Sequence, residues 1–74
     1  MVLRYRKSYV MRNGMIGKVI SRSIRDNNGM NVVRVKFNER DIVVPYFENG
    51  KVNDASGKFI SVNDQKNWEA IKEI

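Results

Sequence analysis

The fold is decided by residues 31–47, which read NVVRVKFNERDIVVPYF. Apolar and polar side chains alternate up to residue 37, the pattern of a β-strand with one buried face. A four-residue turn, NERD, then precedes a second apolar run. If this turn joins antiparallel strands, three apolar cross-strand pairs share one face: Phe37 with Ile42, Val35 with Val44, and Val33 with Tyr46. The sequence therefore predicts a hairpin with strands at about 30–37 and 42–47.

Two Asn-Gly pairs, at 28–29 and 49–50, flank this hairpin. Asn-Gly favours a two-residue type I′ turn, because both central residues of that turn take positive φ. The first pair predicts that Ile24 faces Val33 on the apolar side. The second predicts that Phe47 faces Val52. Under the first register, the outer face of the sheet is basic and hydroxylic.

The remaining segments complete a small all-β fold. Lys7 interrupts an otherwise alternating N-terminal pattern, which predicts a bulge or a strand end near Ser8. Asn63 or Asp64 can cap a C-terminal helix with Trp68 on its apolar stripe. We therefore expect one domain, 1–74, folded as a five-stranded antiparallel SH3-like barrel with a short C-terminal helix; an OB-type barrel is the main alternative. The predicted strands are about 2–12, 15–25, 30–37, 42–47 and 58–62, and the predicted helix is about 64–73.

The composition narrows the classes of function. The chain has 74 residues, of which 42% are hydrophobic and 30% charged, as expected of a small soluble domain. It contains no cysteine and no histidine, which excludes disulfides, zinc fingers, thiol nucleophiles and the commonest general base. The eight carboxylates fall in predicted turns and the predicted helix, without metal-site spacing or a nucleotide loop. We expect no enzyme activity, no cofactor, no metal and no small-molecule substrate.

No stretch of the sequence resembles a targeting segment or a membrane span. Residues 1–7 are basic, but polar side chains interrupt the apolar run that a secretory signal needs. The longest near-apolar run, 42–47, is far too short to cross a bilayer. We expect a cytoplasmic protein that does not enter membranes, although the absence of cysteine is equally compatible with a secreted domain without disulfides.

Positive charge is concentrated in the first half of the chain. The net charge is +6, made up of +8 over residues 1–40 and −2 over residues 41–74. Arg and Lys contact phosphates as charges and Ser hydroxyls contact them by hydrogen bonds, so this half is a candidate nucleic-acid surface. The outer face is predicted to carry Arg25, Arg34 and Lys36 with Ser21 and Ser23. The first strand adds Arg4, Arg6 and Arg12, and Lys18 and Arg22 support the rim.

We therefore expect non-catalytic binding to the phosphate backbone with low sequence specificity. About six neutralised phosphates on duplex DNA would give a log–log salt slope near −5. The aromatic residues, Tyr5 among them, are assigned mainly to the core, which favours duplex DNA or structured RNA over a stacked single strand.

Two alternatives stay open at this point. The basic face could be a solvated surface that only discourages edge-to-edge pairing. The chain could instead be an adaptor or inhibitor that docks on an acidic surface of a larger nucleic-acid-processing or transcription protein. In that case the apolar strand at 42–47 and the helix would make the contact, through Val43, Phe47 and Trp68.

One short segment resembles a known family. Gly14-Met15-Ile16-Gly17-Lys18-Val19 resembles the core of a KOW motif, a Gly-x-x-Gly-x-Val-like turn and strand, and Arg34-Val35-Lys36-Phe37 resembles its second strand. KOW motifs occur in SH3-like barrels of ribosomal proteins and transcription elongation factors. The resemblance implies an SH3-like barrel that contacts RNA, DNA or the transcription machinery.

Overall fold

The computed structural model describes residues 1–74, and its regular secondary structure is almost entirely one antiparallel sheet. Its only helix is a short 3₁₀ helix, Gln65–Trp68. The six strands are β1 (Ser8–Met11), β2 (Ile16–Val19), β3 (Ile24–Arg25), β4 (Asn31–Phe37), β5 (Ile42–Phe47) and β6 (Ala70–Glu73). None of its helices has the length and apolar character needed to cross a membrane.

Strand β4 is the centre of the sheet. It pairs with β5 on one side, and with both β2 and β3 on the other. Strand β1 pairs with β2, and β6 pairs with the outer edge of β1. The sheet is not closed, although the Ala70 N–H donates to the Gly50 carbonyl at 3.0 Å and so connects the start of β6 to the turn after β5.

The hairpin of β4 and β5 has the predicted register, so this prediction is confirmed. Its inward side chains form the middle of a twelve-residue core. Phe37 packs edge-on against Trp68 with ring centroids 5.0 Å apart, and the Tyr46 hydroxyl donates to the Trp68 carbonyl at 2.6 Å. The core consists of Leu3, Tyr9, Met11, Val19, Val33, Val35, Phe37, Val44, Tyr46, Val52, Ile60 and Trp68.

Both Asn-Gly turns differ from the prediction in the same way. Each loop has three residues, 27–29 and 48–50. The glycine N–H donates to the main-chain carbonyl three residues earlier, Gly29 to Asp26 and Gly50 to Phe47, both at 3.0 Å. Only the glycines have positive φ, 78° and 99°, which is the geometry of a three-residue hairpin loop and not of a type I′ turn. The predicted registers are therefore wrong by one residue.

That slip moves side chains to the other face of the sheet. Ile24 faces Val32 on the outside instead of Val33 in the core, and it is exposed. Tyr46, not Phe47, faces Val52. Arg25 lies opposite Asn31, so it does not share a face with Arg34 and Lys36 as predicted.

The predicted strand at 15–25 is also interrupted. Val19 pairs with Val35 and Ile24 with Val32, so the segment between β2 and β3 contains two residues more than the matching stretch of β4. The Ser21 hydroxyl oxygen accepts the Arg34 N–H at 2.9 Å and replaces the missing ladder bond.

At the N-terminus, the strand begins at Ser8, as the position of Lys7 predicts, and not at residue 2. Residues 4–7 form a turn in which the Lys7 N–H donates to the Arg4 carbonyl at 3.1 Å. The Tyr9 hydroxyl accepts the Arg4 N–H and donates to the Val2 carbonyl, which holds the first residues against the sheet.

The predictions for the C-terminal third are wrong. Residues 58–62 form no strand; they belong to a loop held by the Asp54 carboxylate. In place of the helix at 64–73, the 3₁₀ helix ends at Trp68 and β6 follows it. A helix of about ten residues is marginal on its own, whereas pairing with the free edge of β1 supplies main-chain hydrogen bonds.

Candidate nucleic-acid interface

The outer face of the sheet carries cations and no carboxylate. Strand register places Ser8, Lys18, Lys36 and Val43 in one row across β1, β2, β4 and β5. Arg34 lies two positions along β4 from Lys36 and therefore points to the same side. The other outward positions on the strands are Val10, Ile16, Ile24, Val32, Pro45, Phe47 and Lys72. We call Lys18, Arg34 and Lys36 the basic surface.

Lys18 and Lys36 are directly opposite one another on antiparallel strands. Like charges in this arrangement destabilise a sheet. The only carboxylate within salt-bridge distance is Asp41, whose Oδ1 lies 3.9 Å from the Lys36 Nζ and whose side chain is 92% exposed. An exposed pair at that distance contributes little. The fold thus keeps a repulsive pair of lysines whose charges are largely uncompensated.

A second group of cations surrounds Tyr5 beside the end of β2. The Arg6 N–H donates to the Val19 carbonyl at 2.9 Å, which fixes this turn beside the strand that carries Lys18. The Arg6 and Arg22 guanidinium carbons lie 5.1 and 4.9 Å from the centre of the Tyr5 ring, within cation–π distance. We call Tyr5, Arg6 and Arg22 the Tyr5 cluster.

The electrostatics connect the Tyr5 cluster to the basic surface. The pKa of the Tyr5 phenol is lowered, chiefly by the Arg6 guanidinium and further by the positive charges of Arg22 and Lys18. Neither arginine has a carboxylate within salt-bridge distance. Lys18 therefore connects the basic surface to the Tyr5 cluster, and the two form one positively charged region.

The predicted site residues divide between this region and other parts of the molecule. Lys18, Arg34, Lys36, Arg6 and Arg22 are brought together, and Arg4 is exposed in the same turn as Arg6. Ser23 is exposed between β2 and β3, whereas the Ser21 hydroxyl oxygen already accepts the main-chain N–H of Arg34. Arg25 and Arg12 lie elsewhere.

Arg12 follows the far end of β1, away from Ser8 and Lys18. Its Nη2 lies 3.5 Å from Glu69 Oε2 and its Nε donates to the Lys66 carbonyl at 3.4 Å. These contacts tie the turn after β1 to the segment before β6. Arg12 therefore has a structural partner, in contrast to Arg6 and Arg22.

The residues predicted for protein docking are also separated. Val43 is on the outer face and 36% exposed, and Phe47 is half-buried on the same face. Trp68 is only 3% exposed, and its Nε1 donates to Asp64 Oδ2 at 3.0 Å. Trp68 belongs to the core and is not part of a docking surface.

Sequence reasoning missed Tyr5 within this region and Lys72 elsewhere on the outer face of the sheet. Tyr5 was assigned to the core because it lies an even number of positions from Tyr9 and would point to the same side of a continuous strand. The strand is interrupted at Lys7, so this argument does not apply to Tyr5. Lys72 was placed on a helix, whereas it faces Val10 on the outer side of β6. The break in alternation at Lys7 was the available signal for Tyr5; no comparable signal marks Lys72.

Comparison with protein-family models, curated proteins and solved structures finds no match to this chain. The structure contains no group of three or more Asp or Glu side chains placed to hold a metal ion.

Proposed function

We propose that this protein is a non-catalytic nucleic-acid-binding protein that contacts the phosphate backbone with low sequence specificity. The observation that supports the proposal is the directly opposed Lys18–Lys36 pair on a sheet face without carboxylates. A polyanion that bridges the two ammonium groups would relieve their repulsion.

The arrangement of the cations favours phosphate contacts over base recognition. Guanidinium groups match phosphate oxygens in bidentate geometry, and Arg6, Arg22 and Arg34 supply three of them beside the two lysines. The 3₁₀ helix packs its tryptophan into the core and so offers no recognition helix for a groove. Contacts of this kind position a protein on nucleic acid but carry little sequence information.

We also propose that the sheet is an SH3-like barrel of the KOW type. The hydrogen bond from Ala70 to Gly50 brings the β6 end of the sheet to the β5 end. Within the KOW-like segment, Gly14 has a φ of 88°, and a Cβ on Gly17 would lie 2.5 Å from Val35 Cγ1. Both glycines are thus required by the backbone or the core here, in keeping with the spacing of the motif.

Fluorescence anisotropy tests the proposed function with random duplex DNA, structured RNA and single-stranded RNA. We expect five cations to contact phosphates: Arg6, Lys18, Arg22, Arg34 and Lys36. The slope of log affinity against log salt concentration should then be about −4.5 on duplex DNA and about −3.5 on a single strand. We expect affinity to fall by orders of magnitude between about 50 and 200 mM salt. Absence of binding to all three polymers at the lower salt concentration contradicts the proposal.

A second candidate function is docking on an acidic surface of a larger protein. The observation that favours it is the exposure of Ile16, Ile20 and Val43, which are 41%, 41% and 36% exposed around the basic surface. Apolar side chains do not bind phosphate but do bind protein. Val43→Ser removes an apolar side chain without placing a charge opposite Lys36, so it should weaken docking and spare nucleic-acid binding. Arg34→Glu with Lys36→Glu should abolish nucleic-acid binding.

A further inference from the structure

Tyr5 is the aromatic side chain that lies within the positively charged region. It is half-buried, while Tyr9 and Tyr46 are buried in the core. The other aromatic side chain with a nearby cation on an exposed loop is Phe59, whose ring centre lies 5.5 Å from Lys58 Nζ. Phe59 has one such partner, whereas Tyr5 has the guanidinium groups of both Arg6 and Arg22.

We propose that the Tyr5 cluster is a stacking site for an unpaired nucleobase, so that the preferred ligand is a single-stranded segment. This inference rests on the proposed function and specifies the ligand class. It replaces the expectation of duplex DNA or structured RNA, which depended on the aromatic residues, Tyr5 among them, being mainly in the core.

Stacking follows from the chemistry of the three side chains. Unpaired bases stack on aromatic rings and on arginine guanidinium planes, and every base has a π-face to offer. The Tyr5 cluster supplies one ring and two guanidinium groups, held close to that ring by cation–π contacts. In a duplex the base faces are already stacked on one another, so this contact is available only to an unpaired nucleotide.

The neighbouring charges place phosphates next to the stacked base. Lys18 is close enough to lower the pKa of the Tyr5 phenol, and Lys36 faces Lys18 across the strands. A strand with one base on Tyr5 can therefore pass its backbone over the two lysines. Because stacking is tolerant of base identity, the site adds affinity without adding strong sequence preference.

The test compares two single-stranded oligonucleotides of roughly 12 nucleotides, a typical site size, that carry the same charge. One has all its bases, and the other has base-free sugars at its central positions. Wild-type protein, Tyr5→Leu, Tyr5→Phe and the control Phe59→Leu are titrated against both. Tyr5→Phe keeps the ring, and Phe59→Leu removes an aromatic residue that has a cation beside it outside the cluster.

Removing either the Tyr5 ring or the bases should weaken binding by about 5- to 150-fold per stacked base. Removing both should weaken binding no more than removing one of them, because the same contact is lost. Phe59→Leu should bind like wild type, and Tyr5→Phe, which keeps the ring but loses the hydroxyl, should bind more tightly than Tyr5→Leu. The wild-type salt slope should be the same for both oligonucleotides, because their phosphates are identical.

The two possible failures are distinguishable. If the base-free oligonucleotide binds wild-type protein as tightly as the complete one, with the same salt dependence, stacking is wrong and phosphate binding stands. If neither oligonucleotide nor a duplex binds at low salt, the proposed function itself is wrong. The base-free comparison uses wild-type protein, so a folding defect in Tyr5→Leu cannot obscure the result.

Discussion

Arg6 occupies a backbone conformation that usually belongs to glycine. Its φ is 71°, at the third position of the turn that the Lys7 N–H closes onto the Arg4 carbonyl. A type II turn demands positive φ at this position, which costs an L-residue about 1–2 kcal/mol. The conformation places the guanidinium group beside Tyr5. Strain of this kind is often found at functional sites.

Replacing Arg6 with glycine should therefore separate stability from binding. Arg6→Gly relieves the backbone strain, partly offset by the extra flexibility of glycine in the unfolded chain, so unfolding should require about 0.5–1 kcal/mol more. Under the proposed function the same variant also loses one phosphate contact, so its affinity should fall and its salt slope should decrease by about 1. Chemical denaturation and anisotropy measure the two effects.

Arg6→Lys is the matched control for this substitution. It keeps the charge and the backbone strain but loses the planar guanidinium group. We expect stability close to that of wild type, with affinity between those of wild type and Arg6→Gly. If Arg6→Gly is less stable than wild type, the strain has been misassigned.

At the scale of elements, the loop of residues 54–60 depends on one carboxylate. Asp54 is 6% exposed. Its two oxygens accept hydrogen bonds from the Ser56 hydroxyl and from the main-chain N–H groups of Lys58, Phe59 and Ile60. Desolvation raises the pKa of Asp54, but these four hydrogen bonds outweigh it, so the pKa is lowered. The loop thereby brings Ile60 into the core.

The lowered pKa of Asp54 gives a pH dependence of stability. A carboxylate with a lowered folded pKa stabilises the protein above its unfolded pKa, and the contribution is lost as pH falls through the folded pKa. Wild-type melting temperature should therefore drop below about pH 4. Asp54→Asn should melt at least about 5 °C lower at pH 7 and show a smaller acid-dependent drop.

Asp41→Asn is the control in the same pH series, because Asp41 is exposed in the turn before β5. Its melting temperature should follow that of wild type at every pH. If Asp54→Asn and wild type show the same acid-dependent loss, Asp54 does not hold the loop.

The elements that sequence predicted well are those with redundant local signals. The β4–β5 hairpin has three apolar pairs that agree on one register, and that register is correct. The Asn-Gly turns failed because Asn-Gly serves both two-residue and three-residue loops. In the first turn, Asp26 at the opening position is typical of the longer loop, and its Oδ1 accepts the Asn28 and Met30 N–H groups.

The C-terminal helix was mispredicted because its decisive partner is distant in sequence. Residues 70–73 are recruited by the free edge of β1, some sixty residues earlier, which no local pattern reveals. Dependence on distant residues also explains why the arrangement of the site residues could not be predicted from the sequence. Lys18 and Lys36 were both named as candidates, but their direct opposition depends on the two-residue interruption between β2 and β3.

For the whole molecule, the organising feature is the division of the sheet into an apolar inner face and an outer face whose charged side chains are all cations. The inner face supplies most of the core, and the outer face carries Lys18, Arg34 and Lys36 and no carboxylate. The net charge of +6 alone would attract any polyanion weakly. The proposed function requires more, namely that the position of the cations on this face determines binding.

The most direct measurement of that claim compares two double charge reversals with the same net charge. Lys18→Glu with Lys36→Glu reverses the opposed pair, and the new pair is again of like charge, so the sheet keeps a similar repulsion. Lys51→Glu with Lys58→Glu reverses two exposed lysines in the loops after β5. Both variants are titrated with a labelled single strand over a range of salt, after circular dichroism has verified folding.

We predict that reversing Lys18 and Lys36 weakens binding by about 100-fold or more at low salt and reduces the salt slope by about 2. The variant with Lys51→Glu and Lys58→Glu should lose only the small part of its affinity that follows from its lower net charge. Equal losses in the two variants would contradict the account, because binding would then follow total charge and not the opposed lysines on the sheet.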